Sequence, residues 1–328
     1  MSPPAADMTV PPIPRRVPEL WQPRHPVFWL AAVLVFVFGA LIVISLASAV
    51  DEPLAALAAV VLCSAQVVVL WLIVRAMPRF RRQSASLMIL AAVWGGVVAP
   101  GVAMLAGSGA QELIWTYGLE SLSAALSAPV NEDLMRLLGV LAVLALASRR
   151  TLTVMDGAVY GFVVGAGFEV VENLLYALRG ESFGETLSVG IMRLLVGFGL
   201  HALWTTVAGA GLAYCLSRRQ RGLSSRWWVL VPAVLSPMLL HAGWDAPSPS
   251  VFPFFKLLLL AVLYAVTIVL FVIAVRWGRR DEFRWYLERI PSAIPLVQLR
   301  ALPRAQRRVI AAAAVAEERN GVQSALGS

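Results

Sequence analysis

Residues 155–178 read MDGAVYGFVVGAGFEVVENLLYAL, an apolar run of 24 residues whose second half carries Glu169, Glu172 and Asn173. A run of this length is long enough to cross the hydrocarbon core of a bilayer as an α-helix. Charged side chains are costly at that depth, and where they occur they usually mark a functional site. This stretch therefore predicts a membrane helix that carries part of a site.

The composition of the whole chain is that of a membrane protein. Of its 328 residues 59% are hydrophobic and 14% are charged, and the mean hydropathy is +0.77. Repeated apolar runs near 20 residues exceed what the helices of soluble domains need. We predict an all-α, polytopic membrane helix bundle of about eight transmembrane helices, embedded in the lipid bilayer of the cell membrane. The predicted spans are 27–50, 54–77, 87–106, 131–148, 155–178, 191–216, 227–246 and 251–276.

The arginines predict how the bundle is oriented. They cluster before the first span and around the end of each even-numbered span, as Arg15, Arg16, Arg24, Arg75, Arg79, Arg81, Arg82, Arg149, Arg150, Arg218, Arg219, Arg221, Arg226, Arg276, Arg279, Arg280 and Arg284. Short loops rich in arginine and lysine lie on the cytoplasmic side of a membrane. Both termini are therefore expected there, with tails at 1–26 and 277–328 on either side of a bundle at 27–276. The net charge of +8 is then a topology signal, and no nucleic acid is expected as a partner.

Three further groups of ionisable residues lie in the predicted spans. They are Glu132, Asp133 and Arg136 in the fourth span, His201 in the sixth, and His241 with Asp245 in the seventh. With the predicted orientation, the intramembrane acids and histidines lie in the outer half of the bilayer. Glu169, Glu172, His201 and His241 lie about 8 to 15 Å below the outer ends of their spans, at 1.5 Å per helical residue, and Asp245 lies near the rim. This common depth predicts one shared cavity.

Intervals of four residues connect the polar side chains within each span. Such pairs share a helix face, and they occur as Glu132/Arg136, Glu169/Asn173, Phe168/Glu172, His201/Thr205 and His241/Asp245. Small residues at this interval let membrane helices approach closely. They continue the same registers as Gly157, Gly161 and Gly165 in the fifth span and as Gly197 and Gly209 in the sixth, where the register begins with Arg193. The faces that bring these two helices together are therefore expected to carry the acid and the imidazole.

Four stretches follow one another as APVNEDLMR at 128–136, GAGFEVVENLLY at 165–176, HALWT at 201–205 and HAGWD at 241–245. They resemble the motifs of the PrsW family, multi-pass intramembrane proteases distantly related to the CAAX prenyl endopeptidases, over a core at 128–245. The first motif of that family is a Glu-Glu pair followed by a basic residue, and this chain departs from it with Asp133. The resemblance implies a peptidase with catalytic Glu132, Glu172 and His201. It also implies a single-span, membrane-anchored substrate, such as an anti-sigma factor, that is cut near the outer face.

Peptide hydrolysis within a membrane needs a localised water, a base that activates it and donors that stabilise the oxyanion. We expect Glu132 to act as general base, while Glu172 positions the water or shares its proton. His201 and His241 are expected to donate to the oxyanion or to protonate the leaving amine. Supporting roles are expected for Asp133, Arg136, Glu169, Asn173, Thr205 and Asp245.

Zinc is an alternative to this metal-free mechanism, because two histidines with carboxylates can bind it. The chain has no HExxH motif, and its histidines lie on different helices, so that spacing alone does not decide the matter. Of the two mechanisms, we expect the glutamic one without a cofactor. If zinc is bound, the expected ligands are Glu172, His201 and His241.

Other functions are compatible with the same residues. Proton- or ion-coupled transporters also place acids and histidines in the membrane, and a non-catalytic scaffold on a protease-like fold would retain them. Single residues have structural alternatives too: an ion pair for Glu132 with Arg136, a solvated helix end for Asp133, and a pairing of Glu169 with Asn173, Arg193 or a histidine. No feature of the sequence predicts an oligomeric state.

Overall fold

The computed structural model describes residues 20–48, 52–79, 83–148, 151–247 and 253–289. Within these ranges all regular structure is helical. The α-helices are α1 (Pro26–Ser48), α2 (Pro53–Ala76), α3 (Ala85–Val93), α4 (Ala99–Thr116), α5 (Ser123–Ala128), α6 (Leu134–Ala147), α7 (Val154–Ala177), α8 (Phe183–Val196), α9 (Leu200–Gln220), α10 (Trp227–Asp245) and α11 (Pro253–Arg289). Two π turns, Trp94–Val98 and Pro129–Asp133, join α3 to α4 and α5 to α6. Most of the predicted tails and several of the orienting arginines lie outside these ranges.

Six helical segments of the described chain are long and apolar enough to cross a membrane. They are Pro26–Ser48, Pro53–Ala76, Ala85–Thr116, Val154–Ala177, Trp227–Asp245 and Phe254–Trp285, and α8 with α9 forms a bent seventh. The predicted fourth span corresponds to α5, the π turn and α6, which are less apolar because Glu132, Asp133 and Arg136 lie among them. The prediction of an all-α, multi-pass membrane bundle is thus confirmed.

The predicted sixth span is wrong as a single helix. It is broken between Val196 and Leu200, and the axes of α8 and α9 differ there by 41°. Gly199 permits the break because its φ of +80° lies in the left-handed region, which glycine enters without a steric penalty. Arg193 therefore does not continue the face of His201; it belongs to the last turn of α8.

Helix α7 is the centre of the bundle, and its closest neighbour is α9. A Cβ atom added at Gly157, Gly161 or Gly165 would collide with the backbone carbonyl of Gly209, Thr205 or His201 respectively. The absence of side chains at these glycines lets the two backbones meet, as is common between membrane helices. The predicted glycine face of the fifth span is therefore the face that contacts the helix of His201.

The start of α7 is fixed by polar contacts at the opposite end of the bundle from Glu172. The Asp156 carboxylate accepts hydrogen bonds of 2.9 Å from both the backbone N–H and the hydroxyl of Thr153. The carboxylate of Asp281, on α11, accepts from the N–H of Val154 at 2.9 Å. These acceptors satisfy N–H groups that have no partner within the helix, and they set the depth at which α7 begins.

Candidate active site

Four helical segments bring acids and histidines together at one end of the bundle. The π turn before α6 carries Glu132, the last two turns of α7 carry Glu172, α9 begins beside His201, and α10 ends just after His241. The two imidazole rings meet edge to face, with their centroids 5.2 Å apart. The candidate catalytic residues expected from the sequence therefore share one cluster, although they come from four segments.

His201 lies between a cation and an acid. Arg136 contacts its Nδ1, and Nε2 is 3.0 Å from Oε2 of Glu172. Because a guanidinium group has only donors, Nδ1 accepts, and the neutral ring carries its proton on Nε2, which donates to Glu172. The ring packs edge to face against Phe168 and Trp204, at centroid distances of 5.0 and 5.3 Å. The orientation of the imidazole is therefore fixed by two polar partners and two aromatic rings.

His241 is held by two carboxylates and one aromatic ring. Its Nδ1 is 3.2 Å from Oδ2 of Asp133, and its Nε2 is 3.3 Å from Oδ2 of Asp245. Trp204 stacks on the imidazole at 4.7 Å, and the indole N–H donates to Thr267 on α11. Since Trp204 also touches His201, one tryptophan supports both histidines.

Asp133 is part of the site and not a solvated helix end. Its side chain is only 9% exposed, and its two oxygens contact Arg136 and His241. The alternative in which Arg136 pairs with Glu132 is also wrong, because the ion pair within this segment joins Arg136 to Asp133. Side chains three residues apart also share a helix face, which accounts for this pair. Glu132 lies in the π turn Pro129–Asp133 and approaches His241.

Glu132 has an unsatisfied oxygen beside the histidines; Oε2 of Glu169, which makes no described hydrogen bond to either ring, is also buried without a partner. The Oε2 of Glu132 is buried and has no hydrogen-bond partner, and it lies 3.7 Å from Nε2 of His241. One ligand atom each from Glu132, His201 and His241 lie within 4.8 Å of one another. The alternative zinc ligands expected from the sequence included Glu172, whereas this group contains Glu132 in its place.

Glu172 connects His201 to Arg193. The Arg193 guanidinium donates to Oε2 of Glu172 at 2.6 Å and also contacts Oδ1 of Asn173. It lies over the ring of Tyr176, 4.2 Å from the centroid. Both charged side chains retain some exposure, 25% for Arg193 and 16% for Glu172, so the cluster is accessible from this side.

Glu169 lies on α7 next to the cluster. None of its described hydrogen bonds goes to a histidine ring. Its Oε1 accepts from the side chain of Gln66 and from the backbone N–H of Gly199, both at 2.6 Å. Gln66 is 1% exposed and was not singled out from the sequence. The signal for it is a lone amide in the middle of the apolar run of α2.

Thr205 is also displaced from its expected role. The sequence predicts that Thr205, like Asn173 and Asp245, orients a histidine, but its hydroxyl donates to the backbone carbonyl of His201 at 2.8 Å, within the same helix, and not to the imidazole. Together with Asp133 and Trp204 it lines a cavity of about 10 Å³, which is the space that one water needs.

The fold and the site define a polytopic membrane protein with a buried acid and histidine centre. A family model described as PrsW family intramembrane metalloprotease matches residues 83–275. Since this is more than half of the chain, the protein belongs to the PrsW family of intramembrane metalloproteases and is a peptidase of that family. The match extends beyond the core at 128–245 and includes α3 and most of α11, whereas α2 lies outside it. No significant match was found among curated proteins or among solved structures.

Proposed function

We propose that the protein is an endopeptidase that hydrolyses a single-span, membrane-anchored substrate protein near the outer face of the membrane. An anti-sigma factor is a substrate of this kind. One observation carries the proposal: the unpartnered Oε2 of Glu132 lies in a group with ligand atoms of His201 and His241 within 4.8 Å. An acid and two imidazoles that converge on one point can bind and activate a water molecule. Family membership supports the reaction class.

The residues of the chain divide the reaction between them. Glu132 accepts a proton from the water, and the hydroxide forms a bond to the carbonyl carbon of the substrate. At rest the Nε2–H of His201 donates to Glu172 and Nε2 of His241 contacts Asp245. As negative charge develops on the carbonyl oxygen of the substrate, these N–H groups are shared with it and stabilise the oxyanion. When the carbon–nitrogen bond breaks, the amine takes the proton that Glu132 holds. Glu172 keeps His201 in place through their 3.0 Å contact, and Asp133 and Asp245 do the same for His241.

The donor set also fits a divalent ion such as Zn²⁺. Two imidazoles and one carboxylate are a common catalytic zinc set, and the buried, unpartnered oxygen of Glu132 is what such a set requires. Bound there, the ion would supply a Lewis acid and a more acidic water. His201 would release the proton from Nε2, with Glu172 as the nearest acceptor. Against this, Arg136 donates to Nδ1 of His201, whereas a metal-bound histidine usually donates from its second nitrogen.

The test uses the full chain in liposomes with a panel of single-span reporter proteins. Cleavage by the wild type should fall about 10²-fold or more in Glu132→Ala, Glu172→Gln and His201→Ala. Glu120→Gln, which changes an exposed acid outside the cluster, is the matched control and should cleave normally. Cleavage that survives all three site changes would refute the proposal. Proton-dependent uptake without cleavage would indicate transport.

The role of a metal is decided in the same liposomes. A glutamic mechanism predicts that a strong zinc chelator leaves the cleavage rate unchanged and that the purified protein contains no stoichiometric zinc by elemental analysis. Inhibition by the chelator that added zinc reverses, with zinc content lost in Glu132→Ala, would instead assign the ion to this site.

A further inference from the structure

Gln66 is a buried amide on α2, a helix whose other side chains are apolar apart from Cys63, Ser64 and Arg75. An amide at membrane depth is costly unless its hydrogen bonds are made within the protein. Both ends of Gln66 are satisfied, because Nε2 donates to Glu169 at 2.6 Å and Oε1 accepts from Asn173 at 3.1 Å. Helix α2 is thereby joined to two consecutive turns of α7, although it lies outside the part of the chain that the family model matches.

The two α7 residues that Gln66 holds reach opposite sides of the α8/α9 break. Glu169 accepts from the backbone N–H of Gly199, the residue that precedes α9. Asn173 contacts Arg193, in the last turn of α8. An N–H group at the start of a helix has no partner within that helix, so the Glu169 carboxylate supplies an acceptor that the break would otherwise leave missing.

We infer that Gln66 and Glu169 are positioning residues that hold the α8/α9 break, so that α9 presents His201 to Glu132 while α8 presents Arg193 to Glu172. The catalytic consequence rests on the proposed function, but the geometric one does not. Neither residue touches the reacting atoms. Glu169 serves as a hydrogen-bond acceptor, and no proton transfer is required of it.

The geometric part is tested by pulsed electron spin resonance in liposomes. Spin labels are placed at Leu195 on α8 and Arg219 on α9, both exposed, in a background in which Cys63 and Cys215 are replaced. Gln66→Met, which keeps the length of the side chain without its hydrogen bonds, should shift or broaden the distance distribution between the labels. Ser64→Ala changes an exposed hydroxyl on the same helix that bonds within it, and it should leave the distribution unchanged.

The catalytic part compares two changes at Glu169. Glu169→Gln keeps an oxygen for the N–H groups of Gln66 and Gly199, and it should retain the wild-type distance and cleave reporters at about the wild-type rate. Glu169→Leu removes the acceptor; it should alter the distance distribution and lower the cleavage rate about 10- to 100-fold, the loss that follows from misplaced catalytic groups.

Each outcome has one meaning. Unchanged distances in both Gln66→Met and Glu169→Leu overturn the inference, whether or not the protein cleaves the reporters. Loss of cleavage in Glu169→Gln with unchanged distances also overturns it, because Glu169 would then act as an acid or base. If Gln66→Met and Glu169→Leu alter the distances while the wild-type protein cleaves no reporter, the positioning role of Gln66 and Glu169 stands. Only the peptidase proposal is then rejected.

Discussion

At the scale of single residues, Arg136 determines the surroundings of both histidines. Its guanidinium is fully buried, contacts Asp133 and His201, and lies over the Phe168 ring at 4.5 Å. A lysine could not replace it, because one ammonium cannot present a planar set of donors to two partners and an aromatic face at once. Asp133 in turn connects Arg136 to His241.

We predict that Arg136→Met destabilises the protein by about 3–5 kcal/mol, because it leaves the Asp133 carboxylate buried without its cation. Thermal unfolding in detergent measures the loss. The double variant Arg136→Met/Asp133→Asn should lose less than the single variant, since it removes both charges. Arg75→Met, at an exposed arginine, is the control, and a single variant as stable as this control would contradict the prediction.

Asp133 gives a second prediction at this scale. Asp133→Asn keeps the shape of the side chain but offers Arg136 and His241 an amide in place of a carboxylate. Loss of the carboxylate partner of a metal-ligating histidine typically costs 10- to 100-fold in metal affinity or activity. We expect a fall of about that size in reporter cleavage. Asp133→Glu, which restores the Glu-Glu pair of the family motif, should recover most of the rate; equal loss in both variants would show that charge is not what matters here.

The roles of individual residues were only partly predictable. The depth of each acid and histidine follows from span boundaries and helical rise, and this brought Glu132, Glu172, His201 and His241 together correctly. Contacts within a turn depend on local helix geometry, which the spacing of residues does not reveal. A pairing of Arg136 with Glu132, four residues away, was therefore left open as an alternative, whereas the structure pairs Arg136 with Asp133, three residues away.

At the scale of elements, the α7/α9 contact places the histidine. The backbones meet where α7 has glycine at three successive turns, and each of these glycines faces a carbonyl of α9. A carbonyl of the main chain cannot turn aside as a side chain can. Any atom added at these positions must therefore separate the helices, which moves His201 away from Glu132.

We predict that Gly161→Ala destabilises the protein by about 1–3 kcal/mol or more and lowers reporter cleavage. A Cβ there would collide with the carbonyl oxygen of Thr205. Gly107→Ala is a matched control, because Gly107 lies within α4 and has no atom within 4 Å of an added Cβ. Unfolding temperature and cleavage rate are measured for both, and equal behaviour of the two variants would refute the role of the glycine face.

Element boundaries show where sequence reasoning reaches its limit. Apolar runs locate membrane helices well, since length and hydropathy decide whether a segment crosses the bilayer. The break at Gly197 to Gly199 was missed because small residues within an apolar run are equally typical of close helix packing. Gln66 was missed because a single amide has no partner visible in sequence; its partners on α7 are more than 100 residues away.

At the scale of the whole molecule, the cluster lies near one end of the helix bundle. Glu172 is about 8 Å from the end of α7 and His241 about 6 Å from the end of α10, at 1.5 Å per residue. The helix ends that surround the site all belong to the same end of the bundle. Which face this is depends on the arginines of the opposite loops, and these predict the outer face.

We predict that a membrane-impermeant maleimide labels Glu181→Cys, in the exposed loop between α7 and α8, in intact cells. Leu223→Cys, in the loop after α9, should react only after the membrane is permeabilised. Both positions are exposed, and the native Cys63 and Cys215 are buried, so the background is low. The reverse labelling pattern would place the site at the cytoplasmic face. The substrate would then be cut at peptide bonds on that side of the membrane.

The π turn at Pro129–Asp133 makes the site depend on the length of the chain as well as on its residues. This turn holds one residue more than an ordinary α-helical turn, and its Glu132 and Asp133 lie 3.7 and 3.2 Å from His241. Deletion of one residue between Ser127 and Leu134 would restore a regular helix and separate these acids, even with both retained. In evolutionary terms, a one-residue gap in this segment of a relative would signal a rebuilt site more reliably than a change of one acid for the other.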